Sequence, residues 1–251
     1  LRNSNRWQSK PRTEEELALY RQRLEEFGIA PVFAHAIYLI NLASPERTIR
    51  QKSVAAFAEE LARCHEAGIP YLILHPGSHR EAGLEGGIAR IAQAINRAYA
   101  DHPEYEVVTL LENCAGQGAT IGRTFAELAA ITEQVKEPER MGYCFDTAHA
   151  LASGYELRTP EGYAQTWAEF EALLGLDKLR CFHLNDSKHD LDSMRDGHEH
   201  IGQGYVGLEA FRLLVNDPHF EDMPMLLETP KEKDMQEDLQ NLARLRALVE
   251  S

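Results

Sequence analysis

The chain has 251 residues, 43% of them hydrophobic, enough to bury a core of ordinary size. Its 40 acids against 26 bases leave a formal charge of -14, which excludes a protein that simply coats nucleic acid. It does not exclude a metal-dependent nuclease, because bound cations reverse the local field. No apolar run approaches the roughly 20 residues of a membrane span, and the opening LRNSNRWQSKPR has nothing like the apolar core of a signal peptide.

Residues 1–12 hold Arg2, Arg6, Lys10 and Arg12 and no acid, beside Trp7. A frayed basic terminus and a phosphate-contacting loop are both open readings of that stretch. Thr13-x-x-Glu16 is a capping-box pattern, and predicts a helix to about Phe27 with Gly28 as its stop. Val54, Phe57, Ala58 and Leu61 recur at helical spacing, as do Ile88, Ile91, Ile95 and Tyr99. Thr124-x-x-Glu127 predicts a further helix carrying Leu128, Ile131 and Val135. Between these lie the strand candidates PVFAH, YLILH, VVTLLE, GYCFD, LRCFH and MPMLLE. No linker or composition break divides the chain, so residues 1–251 read as a single domain. Cys64, Cys114, Cys144 and Cys181 lie far apart with no CxxC pair. They are expected to be free, buried thiols of a reducing compartment, hence of a cytoplasmic protein.

Each strand candidate ends on a residue able to bind a metal: His35, His75, Glu112, Asp146, His183 and Glu228, spaced 34 to 45 residues apart. That is about one strand-plus-helix unit each time, so the alternation predicts parallel strands and an α/β fold closed into a (β/α) barrel. In such barrels the chemistry gathers at the C-terminal strand ends. A single histidine there is ordinarily a hydrogen-bonded core residue; a ligand at every strand end is a pattern. Asp146-Thr-Ala-His149 adds an imidazole just past one strand end, and Asp196-x-His198 adds a pair from the His- and Asp-rich stretch HLNDSKHDLDSMRDGHEHIGQG. A mixed imidazole and carboxylate set suits zinc or manganese, and a multi-metal site of this kind suits in-line displacement at phosphorus.

HPGSH (75–79), LENCAGQG (111–118), CFDTAHALASGY (144–155), HLNDSK (183–188), DGHEHIGQGYVG (196–207) and LLETP (226–230) follow one another in order. Through them nearly the whole chain resembles the endonuclease IV family of apurinic/apyrimidinic-site DNA repair enzymes. The resemblance implies a (β/α)8 TIM barrel holding three zinc ions. One would take His35, His75 and Glu112; a second would share Glu112 and add Asp146, His183 and Glu228; the third would take His149, Asp196 and His198. It makes Glu112 and Glu228 the catalytic carboxylates. Zinc lowers the pKa of bound water to about 7 and so supplies a nucleophile at neutral pH. The implied substrate is double-stranded DNA with abasic or 3′-blocked sites. It would be cut on the 5′ side of the abasic sugar to leave a 3′-hydroxyl, or trimmed at the blocked 3′ end. The protein would act as a monomer, away from membranes.

Arg6 and Trp7 resemble one DNA-facing loop of that family, and Tyr38-Leu39 another, as an apolar wedge for the gap left by a flipped nucleotide. The bland alternative makes Tyr38 and Leu39 ordinary core. Against the family's pattern, six strands are visible where eight are expected, so the first two strands read as missing from the sequence given. The strands ending at His35 and Glu228 would then have unpaired edges, and a longer version would be more stable. Gly197 stands where arginine is frequent and Gln203 where glutamate is common. A metal-dependent sugar isomerase or epimerase of the related xylose-isomerase-like barrels is the alternative enzyme, and a barrel that binds damaged DNA without cutting it the non-catalytic one.

Overall fold

The computed structural model describes Trp7 and residues 10–232 and 234–250. The chain forms two compact units, residues 1–111 with 130–142 and residues 112–129 with 143–251.

In the first unit the capping box forms as the sequence predicts. The Thr13 hydroxyl accepts from the Glu16 amide at 3.2 Å and the Glu16 carboxylate accepts from the Thr13 amide at 2.9 Å. Helix α1 (Glu14–Phe27) starts there and stops at Gly28, whose φ of 62° is left-handed. Strands β1 (Phe33–His35), β2 (Tyr71–Leu74) and β3 (Val108–Glu112) run parallel, with His35 opposite Ile73 and Leu72 opposite Thr109. All but the last residue of β3 belong to this unit. Helix α2 (Arg47–Ala67) buries Phe57, Leu61 and Cys64, and α3 (Leu84–Asp101) buries Ile88, Ile91, Ile95 and Tyr99. Each such aliphatic or aromatic side chain contributes about 1.5–3 kcal/mol when fully buried. Tyr99 keeps its hydroxyl satisfied inside by donating to the Arg140 carbonyl (2.9 Å) and accepting from the Thr109 hydroxyl (2.8 Å).

The second unit carries β4 (Met141–Asp146), whose first two residues belong to the other unit, then β5 (Leu179–His183) and β6 (Met225–Leu226). They too are parallel, with Leu226 and Asp146 both opposite His183. An irregularity at Tyr143/Cys144 shifts the β4–β5 register by one residue. Tyr143 faces Leu179, yet Cys144 faces Cys181, Phe145 faces Phe182 and Asp146 faces His183. A bulge of this kind re-aims every side chain after it. Because side chains alternate along a strand, Phe145 and Phe182 share one face while the cysteines and the acid–imidazole pair share the other. Phe145 and Phe182 join an aromatic cluster around Trp167 on α6 (Pro160–Leu174), with Phe220 4.6 Å from Trp167 between ring centroids. The unit is completed by α5 (Thr147–Ser153), α7 (Gly207–Val215) and α8 (Gln236–Arg246).

Two expected elements are shorter than the sequence suggests. Helix α4, which follows Thr124, spans Phe125–Thr132 and leaves Val135 beyond its end. Glu127 does not complete a capping box there: its carboxylate accepts from the amides of Gly122 and Arg123 and holds the preceding turn. Strand β6 pairs over only Met225–Leu226, so Glu228 lies past the ladder, as His75 does past β2. No helix among the described residues is long and apolar enough to cross a membrane.

Candidate metal centre

His35, the last residue of β1, lies with Nδ1 2.7 Å from the Ala36 carbonyl, so that nitrogen donates and Nε2 is the one left to bind. His75 stands edge-on to it, ring centroids 5.1 Å apart at 83°. Tyr38 is 60% exposed and packs its ring against both, 5.3 Å from His75 and 6.4 Å from His35. That exposure overturns the core alternative for Tyr38; Leu39 is half-buried. Asn41 fastens the loop that carries them. Its side chain donates to the Ser78 carbonyl and accepts from the Ser78 amide, both at 3.0 Å. Gly77 has φ of 114°, and a Cβ there would lie 2.5 Å from the side-chain oxygen Oδ1 of Asn41, so HPGSH requires its glycine. Trp7 is half-buried, and Arg6 lies outside the described residues.

The second unit gathers the other seven predicted residues. Donor atoms of Glu112, Asp146, His183 and Glu228 all lie within 4.8 Å of one another, as do those of Asp146, His149 and His198. His183 Nδ1 is 2.8 Å from Glu112 Oε1, 3.2 Å from Glu228 Oε2 and 3.9 Å from Asp146 Oδ2. Asp196 joins the other group, its Oδ1 3.3 Å from His149 Nε2 and 3.9 Å from His198 Nε2. His149 and His198 repeat the device seen at His35. Their Nδ1 atoms face the backbone carbonyls of Asn113 (2.9 Å) and Glu228 (3.2 Å), which leaves Nε2 for an ion. At His183 the order is reversed, and Nδ1 faces the carboxylates.

Three residues that sequence reasoning missed hold this geometry. Asn113, directly after Glu112, accepts from the Asp146 amide (2.7 Å) and donates to the Asp146 carbonyl (3.0 Å). Asn185, two residues after His183, accepts from the Glu228 amide (2.8 Å) and donates to Asp146 Oδ2 (2.6 Å). Asp146 Oδ1 meanwhile caps α5 by accepting from the His149 amide at 2.8 Å. Both oxygens of the Asp146 carboxylate are thus held by hydrogen bonds. The third is Asp186, fully buried. Its Oδ1 accepts from the amides of Ser187 (2.8 Å), Val206 (2.8 Å) and Gly207 (3.3 Å), and its Oδ2 from Gly202 (2.8 Å). This folds the segment 187–207, which carries Asp196 and His198, around one carboxylate. Gly204 has no room for a side chain, because a Cβ would strike the Ser187 carbonyl and the Asp186 carboxylate. The available signal was the amide repeated just past two strand ends, in LEN and HLN.

The electrostatics call for a cation. Glu112 and Asp146 are fully buried, and burying an uncompensated carboxylate costs several kcal/mol. Burial opposes a charge on His183, but Glu112 and Glu228 outweigh it and raise its pKa well above the ordinary imidazole range. Burial likewise works against a proton on His149, yet Asp146, Asp196 and Glu112 lift it to about 10. In each case a proton neutralises carboxylates that a divalent ion would neutralise better. His198 Nε2 is shielded from solvent and makes no hydrogen bond, though it lies 3.6 Å from Asp146 Oδ2. Nitrogen and oxygen donors at these separations fit zinc.

The family model of the xylose isomerase-like TIM barrels matches residues 1–246. "Probable endonuclease 4" of Chloroflexus aurantiacus is 51% identical over 249 residues, 99% of this chain and 87% of that protein. Its namesake from Geobacter sulfurreducens is 51% identical over 247 residues, 98% of this chain and 83% of that one. The chain belongs to the endonuclease IV family. Among solved structures, endonuclease IV from Thermus thermophilus superposes with a TM-score of 0.86 at 31% identity, covering 98% of this chain and 86% of that one. The fold is therefore that of the TIM barrels, as the strand–helix alternation predicts. In this endonuclease IV family member, LENCAGQG, CFDTAHALASGY, HLNDSK and DGHEHIGQGYVG supply the carboxylates, imidazoles and amide clamps of the second unit.

Proposed function

We propose that the chain, acting as one domain and as a monomer in the cytosol, is a zinc-dependent DNA repair endonuclease. It cuts the phosphodiester on the 5′ side of an abasic sugar and trims blocked 3′ ends. The observation that carries this reading is the pair of donor groups sharing Asp146, each with its nitrogens already aimed. Glu112, Asp146, His183 and Glu228 would hold one ion, and His149, Asp196 and His198 another. His35 and His75, with Glu112 as third donor, would hold a third, as the family resemblance implies. Bound zinc supplies a nucleophile at neutral pH and neutralises charge on the phosphate and the departing 3′-oxygen.

The chain's own residues set the conditions for that chemistry. Asn185 and the α5 N-terminus fix Asp146, and Asn113 fixes the backbone of β4 beneath it. Carbonyls on Nδ1 of His35, His149 and His198 choose the nitrogen that binds. Tyr38, exposed beside His35 and His75, would stack in the gap that a flipped-out abasic nucleotide leaves.

A duplex with one abasic-site analogue, labelled at its 5′ end, tests the reading. The expected product is a single fragment ending in a 3′-hydroxyl, lost after chelation and restored by zinc. Full cleavage by protein shown by metal analysis to hold no zinc, or a product ending in an unsaturated sugar, would rule the reading out.

A further inference from the structure

Asn241 lies on α8, beyond the last of the sequence motifs, yet its side chain is buried. Its Oδ1 accepts from the Ile201 amide at 3.1 Å, and its Nδ2 lies 3.0 Å from Thr229 Oγ1 and 3.2 Å from His200 Nδ1. A backbone N–H can only donate, so Ile201 fixes which end of the Asn241 side chain is oxygen, and Nδ2 donates to both other partners. Arg244, three residues on and so on the same helix face, donates to the Ile201 carbonyl at 3.0 Å. Both backbone groups of the buried Ile201 therefore end on α8. His200 and Ile201 follow the candidate ligand His198, and Thr229 follows Glu228. Between these clasped points His198 Nδ1 faces the Glu228 carbonyl at 3.2 Å. Pairing with Ser187 holds His198, and the Asn185 side chain holds Glu228, both from the strand side. Asn241 closes the same two segments from the helix side.

We propose that Asn241 is a positioning residue for His198. By clasping His200 and Ile201 to Thr229 it keeps the His198 ring against the Glu228 carbonyl, and so decides which imidazole nitrogen is offered to a metal. Glu228 belongs to the other donor group, so the same clasp holds the two groups in register. The inference rests on the role proposed above for His198 as a ligand. A ring tautomer, however, is read with no metal present, so the two can fail separately.

Long-range proton–nitrogen NMR of the zinc-free full chain at mildly alkaline pH should show the neutral His198 ring as one tautomer, protonated at Nδ1. In Asn241→Leu a mixture of both tautomers should appear, and zinc affinity, read by competition with a chromophoric chelator, should fall about tenfold. Asn216→Leu is the control. Asn216 donates to the Arg212 and Leu248 carbonyls and accepts from the Glu250 amide, so it ties α7 to the chain after α8 without touching either ligand segment. It should leave both readings at the parent values even where it lowers the melting temperature. One tautomer and parent zinc affinity in Asn241→Leu would overturn the proposal, and so would equal losses in the two variants, which would make α8 a scaffold only. Should Asn241→Leu fold poorly, Thr229→Val decides, because it keeps the shape and removes only the hydroxyl that Asn241 grips. Mixed tautomers there support the clasp, and a single tautomer refutes it. A parent chain that takes up no zinc would sink the metal reading, whereas zinc uptake with an unmoved tautomer in Asn241→Leu would sink only this inference.

Discussion

The histidine pair of the first unit and the ligand cluster of the second solve different problems. His35 and His75 are imidazoles half-buried beside an exposed tyrosine, and the order around them comes from one asparagine and one glycine that lock a loop. Glu112, Asp146 and His183 are buried, and there Asp146 alone takes polar support from Asn113, Asn185 and the α5 N-terminus, while Glu112 faces the His183 ring at 2.8 Å. Imidazoles can be left to the surface. Buried carboxylates must be oriented and compensated, because an unmatched charge in a dry interior is costly.

The sharpest way to break the second region is Glu112→Gln. An amide of equal size keeps the volume but removes the charge that His183 faces, and abasic-site cleavage should fall by roughly three orders of magnitude. Circular dichroism and thermal melting should stay near the parent. Near-normal turnover at full zinc content would show that Glu112 has no direct part. Asn185→Leu is the milder counterpart: it touches no ion but frees Asp146 Oδ2 and the Glu228 amide. Loss of such outer support ordinarily costs about 10- to 100-fold in metal affinity or activity. Zinc affinity measured by competition with a chromophoric chelator checks it.

The protons on the second region offer a third test. The His149 pKa is lifted to about 10, so this imidazole is charged in the metal-free protein at neutral pH. Its folded value lies above its unfolded one. The stability it contributes is therefore complete below the unfolded value, about 6.5, and is lost as pH rises through about 10. Zinc at Nε2 must expel that proton. Calorimetric titrations at pH 8 in buffers of different ionisation enthalpy should report release of at least about one proton per chain, and apparent affinity should rise with pH. The smallest effect belongs to the first region. Tyr38→Ala removes an exposed ring, so the melting temperature should hardly move while abasic-duplex affinity drops by roughly 10-fold, the worth of one stacking contact. A collapse in melting temperature instead would return Tyr38 to a structural role.

These contrasts also explain what could be seen in advance. The ligands were legible because strand periodicity and βα spacing put a chemically distinctive residue at every strand end. The helices were legible where capping and apolar spacing agreed, as at Thr13–Glu16. Asn113, Asn185 and Asp186 were not, because a polar residue just past a strand is usually solvated, and only the ladder shows which backbone groups it meets. The bulge at Tyr143 was equally hidden, since one unpaired residue leaves no mark on composition. Exposure of Tyr38 depends on a turn held by Asn41, a contact 37 residues long in sequence.

Asp186 gives the second region a property in time as well as in space. Four backbone amides, those of Ser187, Gly202, Val206 and Gly207, end on the oxygens of one side chain. None can be released to solvent by a local fluctuation without leaving the buried carboxylate with fewer donors. The segment should therefore open in a single cooperative event, and the four amides should exchange with deuterium at one common rate. Asp196 and His198 ride on that segment, so in the role proposed for them both would leave an ion together, and the lifetime of that ion would be the lifetime of the loop itself.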